Sequence, residues 1–178
     1  MTEAKLVEGP SGLLPEGDGW FVVNVRDAAW FRNSAFGASA LFQEPSRSPQ
    51  LGLNLGVLEP GKPNCLYHAE SEQEAFLVLS GECLLIVEGE ERRLAAWDFF
   101  HCPALTKHVF VGSGDEPCVI LFVGARRPDR EVVYLVDETA RRHGASAERE
   151  TGDPAEAYEA YPPYEPAPSP PGMPWSRP

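Results

Sequence analysis

Short apolar runs separated by turn residues dominate the chain from residue 51 onward. In several runs apolar residues alternate with polar or small ones, which is the period of a strand with one buried face. Turn residues at 59–61, 80–81 and 88–91 indicate antiparallel strands joined into a barrel or sandwich. The predicted strands are residues 51–58, 75–79, 83–87, 92–95, 99–102, 108–111, 119–123 and 132–136.

The pattern changes on both sides of these strands. Residues 1–18, rich in Gly, Pro and charge, predict an irregular arm, and residues 20–25 predict one further strand. Residues 27–40 fit two descriptions, a helical turn capped by Asp27 or a loop that plugs one end of the barrel. Residues 137–144 predict a two-turn helix with Asp137 as N-cap and a glycine after its end.

The last segment, residues 149–178, is acidic, rich in proline and unable to form a core of its own. It is either disordered or extended over the barrel, where aromatic side chains would anchor it. The candidate anchors are Tyr158, Tyr161, Tyr164 and Trp175. The predicted organisation is an arm (1–18), a barrel (19–136), a short helix (137–148) and a Pro-rich tail (149–178).

Composition restricts the class of partner. The 178 residues fit one domain with its own core, and the formal net charge of −12 argues against nucleic acid, because no basic stripe could neutralise phosphates. No apolar run approaches the roughly 20 residues that span a bilayer, so no membrane partner is expected. Residues 1–15 lack a basic region followed by an apolar segment, which predicts a cytoplasmic protein.

Candidate chemistry is concentrated in residues 68–74, where His68, Glu70, Glu72 and Glu74 lie within seven positions. If this stretch is extended, His68 and Glu70 share one face of a sheet, and Glu74 shares a face with the apolar residues that follow it. Buried carboxylates are unfavourable unless they are paired or bound to a cation. The cluster therefore predicts a divalent metal ion.

This stretch resembles the first motif of the cupin superfamily. That motif runs glycine, five residues, His-x-His, three or four residues, glutamate, six residues, glycine. His68 and Glu70 stand at the two histidine positions, Glu74 follows after three residues, and Gly81 follows after six more. The departures are Glu70 in place of the second histidine and Gly61 one residue further from His68 than the family places it.

The second cupin motif is matched more loosely. It runs glycine, five residues, Pro-x-Gly, two residues, histidine, three residues, asparagine. Pro103 and His108 are in register with it, whereas Trp97 and Leu105 replace its two glycines and Gly112 replaces its asparagine. The resemblance covers roughly residues 50–125.

The resemblance implies an all-β fold, a double-stranded β-helix or jelly-roll barrel, to which the sequence pattern adds a short C-terminal helix and a Pro-rich tail. It implies a divalent metal ion bound by His68, Glu70, Glu74 and His108. Cupins usually use three histidines and one glutamate. Two carboxylates add hard oxygen donors to the ligand set, which favours binding of Mn, Fe or Zn over Cu. A homodimer associated through sheet edges is also implied.

Three functions stay open, because one fold hosts many reactions. The first is a metal-dependent oxygenase, isomerase or decarboxylase acting on a small polar or anionic molecule, with Glu70 or His101 transferring protons. The second is a non-catalytic module that binds a small molecule or a metal. The third is a cupin whose site is vestigial.

Overall fold

The computed structural model describes residues 2–44 and 50–176 and contains two packed antiparallel sheets. The larger sheet has seven strands. In spatial order they are β10 (Phe99–Cys102), β7 (Glu74–Ser80), β12 (Cys118–Ala125), β5 (Leu51–Leu58), β4 (Gly37–Leu41), β3 (Ala29–Asn33) and β14 (Glu165–Pro166).

The smaller sheet has five strands and carries both candidate histidines. Its order is β13 (Val132–Tyr134), β6 (His68–Glu70), β11 (His108–Ser113), β8 (Glu82–Val87) and β9 (Glu90–Ala95). In the register of β6 and β11, His68 and His108 are direct partners. A separate hairpin is formed by β1 (Lys5–Gly9) and β2 (Gly12–Glu16).

Alternate side chains of both sheets point into the space between them and form the main core. Phe76 and Ile120 contribute from the larger sheet, and Leu85 and Phe110 from the smaller one, all of them buried. Burial of this many large apolar side chains is the main favourable contribution to folding. The all-β barrel expected from the alternation is confirmed.

The hairpin between β8 and β9 shows how local sequence sets the register. Glu88 and Gly89 have φ angles of 49° and 78°, which are the left-handed values required in a two-residue turn of type I′. Such a turn matches the right-handed twist of the flanking strands. The hairpin predicted at residues 88–91 is confirmed.

The N-terminal expectations were wrong in three places. Residues 1–18 include the hairpin β1–β2 rather than an irregular arm. Residues 20–25 form no strand: Trp20 makes a single bridge to Glu3, and Val25 packs against the larger sheet, where its carbonyl accepts a hydrogen bond from Trp30 Nε1. Residues 27–40 contain neither a helical turn nor a plug but the hairpin β3–β4, which joins the larger sheet.

The C-terminal part follows the predicted order. Helix α1 (Glu138–Arg142) begins after Asp137, whose side chain accepts a hydrogen bond from the Ala140 backbone N–H. A second short helix, α2 (Pro154–Ala157), follows. The tail then lies extended over the barrel, and its strand β14 extends the larger sheet beside β3. No helix among the described residues is long and apolar enough to cross a bilayer.

Candidate metal centre

A cavity of about 300 Å³ lies between the two sheets at the end where β6 and β7 begin. Its walls come from inward-facing positions of both sheets, and the tail contributes Tyr158 and Tyr164. His68, Glu70, Glu74 and His108 all line it. The structure therefore brings the four candidate ligands together at one cavity.

Both imidazoles are held in one orientation by the backbone. His68 Nδ1 lies 2.9 Å from the Leu66 carbonyl oxygen, and His108 Nδ1 lies 3.0 Å from the Thr106 carbonyl oxygen. A carbonyl oxygen can only accept, so each Nδ1 carries the proton and each Nε2 of a neutral ring keeps its lone pair. Metal-binding histidines are commonly oriented by such a bond.

Glu74 completes a compact group with the two histidines. Its Oε2 lies 3.5 Å from His108 Nε2, and one ligand atom from each of His68, Glu74 and His108 lies within 4.8 Å of the others. Ligand atoms about 2.1 Å from a shared ion lie at most about 4.2 Å apart. Small side-chain rotations would therefore suffice for all three to bind one ion.

Burial sets the protonation of this group. Loss of hydration lowers the pKa of His68 to about 3 and lowers the pKa of His108, so both rings are neutral at physiological pH. The same effect raises the pKa of Glu74 to about 8, with a further contribution from the charge of Glu70. Neutral imidazoles offer their lone pairs to a divalent metal ion, and a bound ion would in turn favour the ionised form of Glu74.

Glu70 lies beside this group rather than within it. Its Oε1 is 4.0 Å from His68 Nε2, and its Oε2 is 3.2 Å from Arg130 Nη1. Oε2 is buried without a hydrogen-bond partner, and burial raises the pKa of this carboxyl despite the nearby arginine. Because Oε2 faces the Arg130 guanidinium, Glu70 has a positive neighbour of its own and does not depend on a metal ion for one.

His101 does not reach the cavity, which corrects its prediction as a proton-transfer residue there. Strand β10 points Phe100 and Cys102 inward, so the alternation places His101 on the outer face, where it is exposed. Phe99 and Phe100 are both apolar, so the sequence of this short strand does not show which of its two faces is buried.

Other residues of the cavity were missed. They are two arginines and three tyrosines: Arg126, Arg130, Tyr134, Tyr158 and Tyr164. The inward alternation of β12 could have indicated Arg126, which follows two inward positions of that strand. Arg130 lies in a loop and the last two tyrosines lie in the tail, where no period indicates the direction of a side chain.

Comparison with known families agrees with the fold. Residues 54–124 match the profile of the family described as Cupin domain. The matched segment contains all four candidate ligands. A comparison with curated proteins finds no match.

Solved structures include several similar barrels. A protein of Silicibacter pomeroyi DSS-3 described as a sugar phosphate isomerase from a cupin superfamily is 25% identical, with a TM-score of 0.55, over 66% of this chain and 88% of the other. A protein of Thermotoga maritima described as a predicted oxalate decarboxylase is 20% identical, with a TM-score of 0.54, over 60% and 99%.

A third structure, from Acidithiobacillus ferrooxidans ATCC 23270, is provisionally assigned as a sugar phosphate isomerase. It is 34% identical, with a TM-score of 0.45, over 47% of this chain. The match spans 55% of that protein, little more than half its length. The family profile over residues 54–124 and the similar barrels agree with the motifs at His68 and His108, and the barrel of this chain has the cupin fold.

Proposed function

We propose that this protein is a metal-dependent enzyme that acts on a small polar or anionic molecule in the cavity between the sheets. The observation that carries this is the group of His68, Glu74 and His108, whose ligand atoms lie within 4.8 Å of one another. Two nitrogen donors and a carboxylate suit Mn, Fe or Zn. When bound, such an ion polarises a substrate oxygen.

Isomerisation is the reaction class that the rest of the site supports best. Glu70 lines the cavity next to the metal group, and burial raises its pKa, which makes it a stronger base than an exposed carboxylate. Arg130 keeps the carboxyl in place by an ion pair. The 25% identity with a structure described as a sugar phosphate isomerase also supports this class.

Glu70 would take a proton from a carbon next to a carbonyl group, and the electrons of that C–H bond would move toward the carbonyl oxygen. The same carboxyl would return the proton to the neighbouring carbon, while a hydroxyl proton moves between the two oxygens. No atom is gained or lost. His68, Glu74 and His108 hold the ion in this scheme, and Glu70 is the proton-transfer residue rather than a fourth ligand.

The test is proton exchange in heavy water. Protein reconstituted with Mn, Fe or Zn is incubated with small hydroxyaldehydes, free and phosphorylated, and NMR follows deuterium entering the carbon next to the carbonyl. Glu70→Gln should lower turnover by about 10²- to 10⁴-fold and keep the metal. Glu72→Gln, which removes the nearby carboxylate paired with Arg127, should leave turnover nearly unchanged.

Other outcomes would point to the remaining functions. Oxygen consumption by the Fe(II) protein with a small acid, without deuterium exchange, would favour an oxygenase. Saturable binding without turnover would favour a non-catalytic module. Equal turnover in wild type and Glu70→Gln would overturn the assignment of the base.

We also propose a homodimer formed through the outer face of the larger sheet. Phe99, at the sheet edge, lies in register with Leu77, and Leu53 lies in register with Val123. Phe99 is 63% exposed and Leu53 40% exposed. Because each chain carries a net charge of −12, two copies approach most easily through exposed apolar positions such as these. The cytoplasmic location stays a prediction.

A further inference from the structure

A second cavity, of about 450 Å³, adjoins the cavity that holds the metal group. Its walls are mostly apolar and include Phe31 of β3, Leu41 of β4 and Tyr164 of the tail. Tyr164 also lines the metal cavity, and so do the two remaining wall residues, Ser39 and Asn54. Because these three residues belong to both cavities, the two cavities meet along this wall.

The larger sheet explains the position of the second cavity. Leu41 on β4 is in register with Asn54 on β5, and Asn54 is in register with Phe122 on β12. Directly paired residues of neighbouring strands project to the same face of a sheet. Phe122 lines the metal cavity, so Leu41 continues the same inner face past β5.

Tyr164 lies between the two cavities. The residue is 45% exposed, yet burial around its hydroxyl raises the pKa of Tyr164 to about 12, with a further contribution from Cys65, which lines the metal cavity. The hydroxyl therefore lies toward the metal cavity, and the exposed part of the residue is the ring. Together with Phe31 and Leu41, this ring offers apolar carbon to a ligand in the second cavity.

We propose that the second cavity binds an apolar chain of the substrate, while the hydroxycarbonyl end of the same molecule reaches the metal group. As a statement about the substrate, this rests on the proposed function. Ligand pockets commonly combine mostly apolar walls with a few polar groups that fix the orientation of the ligand. At this junction the polar groups are Asn54 and Ser39, and Asn54 Nδ2 donates a hydrogen bond to Ser39 Oγ at 3.3 Å. The substrate class that fits is a hydroxyaldehyde or hydroxyketone that carries an apolar chain.

The experiment measures how binding depends on the length of that chain. The probes are hydroxyacetone and its longer straight-chain homologues, up to hydroxyoctanone. Their binding to metal-loaded protein and, separately, to metal-free protein is measured by NMR or calorimetry. Each added methylene should tighten binding by about two- to fourfold until the second cavity is full, because each buried methylene leaves water.

Two substitutions of Leu41 test the location of the chain. Leu41→Gln places a polar amide in the wall and should flatten the dependence on chain length, while the affinity for hydroxyacetone stays within about twofold of wild type. Leu41→Trp fills part of the cavity, so the affinity should stop rising at a shorter homologue. Leu51→Gln, at an exposed leucine on the opposite face of β5, is the matched control and should bind every homologue as wild type does.

Thermal unfolding of each variant checks that it is folded. Equal affinity of wild type for all homologues, or no binding of any of them, would overturn the proposal. An unchanged dependence on chain length in both folded Leu41 variants would overturn it as well. A dependence on chain length that persists in metal-free protein, without deuterium exchange in the loaded protein, would overturn the proposed function and support the apolar cavity as a binding site.

Discussion

His68 and His108 show how single residues are prepared for metal binding. Each Nδ1 donates to the carbonyl of the residue two positions earlier, so the turn before each strand fixes the ring. The Cys65 and Cys102 sulfur atoms lie 3.6 Å from these same nitrogens and add packing on that side. Fixed rings lose little freedom when an ion binds, which favours affinity.

Leu105 marks a position where the backbone demands a glycine. Its φ is 67°, in the left-handed region, and its side chain is 67% exposed. Leu105→Gly should raise the free energy of unfolding by about 0.5–1 kcal/mol, because the penalty of a left-handed leucine exceeds the entropy cost of glycine. Urea titration measures the change.

The control for this substitution is Arg93→Gly, at an exposed position within strand β9. It should lower the free energy of unfolding by about 0.5–1 kcal/mol, since glycine in a strand interior has only the entropy cost. A loss of stability in Leu105→Gly as large as that in Arg93→Gly would contradict the account of strain.

At the scale of elements, the strands that alternate clearly could be predicted from the sequence. Strands β5 and β10 have the predicted bounds, and β7, β8, β9, β11 and β12 are each longer by one to three residues. The N-terminal third could not be predicted in this way. Residues 20–25 have the composition of a strand but join neither large sheet, because the contacts available to such a segment, and not its composition, decide its pairing.

The tail is an element whose order depends on a few anchors. Trp175 stacks on buried Trp30 with ring centroids 5.5 Å apart, and Asn33 Nδ2 donates to the Pro162 carbonyl at 2.6 Å. Trp175→Ala should lower the free energy of unfolding by about 2 kcal/mol, through lost burial and lost stacking. Chemical denaturation measures this, and hydrogen exchange shows whether the tail amides lose protection.

Trp97 provides the comparison for the tail, because it is 74% exposed. Trp97→Ala should change the free energy of unfolding by no more than about 0.5 kcal/mol. Equal effects of the two tryptophan substitutions would show that the tail does not contribute to stability through its contact with Trp30.

At the scale of the whole molecule, the proposed homodimer depends on exposed apolar residues on the outer face of the larger sheet. Phe99→Glu places a carboxylate on an exposed apolar position of the edge strand and, in a homodimer, on both sides of the interface. We expect it to shift the protein from dimer to monomer, as measured by sedimentation velocity. Val136→Glu, at a position 44% exposed beyond β13, should remain dimeric. A monomeric wild type would contradict the proposed interface.

The whole molecule also explains which part of the site the sequence could not reveal. His68, Glu74 and His108 could be named as candidates because their spacing follows the two cupin motifs, although the histidines lie in the smaller sheet and Glu74 lies in the larger one. Glu70 could not be separated from the ligands, because its partner Arg130 lies sixty residues away in a loop. The tyrosines of the tail enter the cavity only because the tail crosses the barrel.

Metal content tests the central claim most directly. Protein purified without chelators, and reloaded with Mn, Fe or Zn, is analysed by inductively coupled plasma mass spectrometry. We expect about one equivalent of metal ion per chain in wild type and less than about 0.1 equivalent in His108→Ala. The two ligands that remain in the variant bind a divalent ion weakly. His143→Ala removes a histidine paired with Glu91 outside the cavity and should keep the metal. Less than about 0.1 equivalent in wild type, or the same content in His108→Ala as in wild type, would contradict the metal centre.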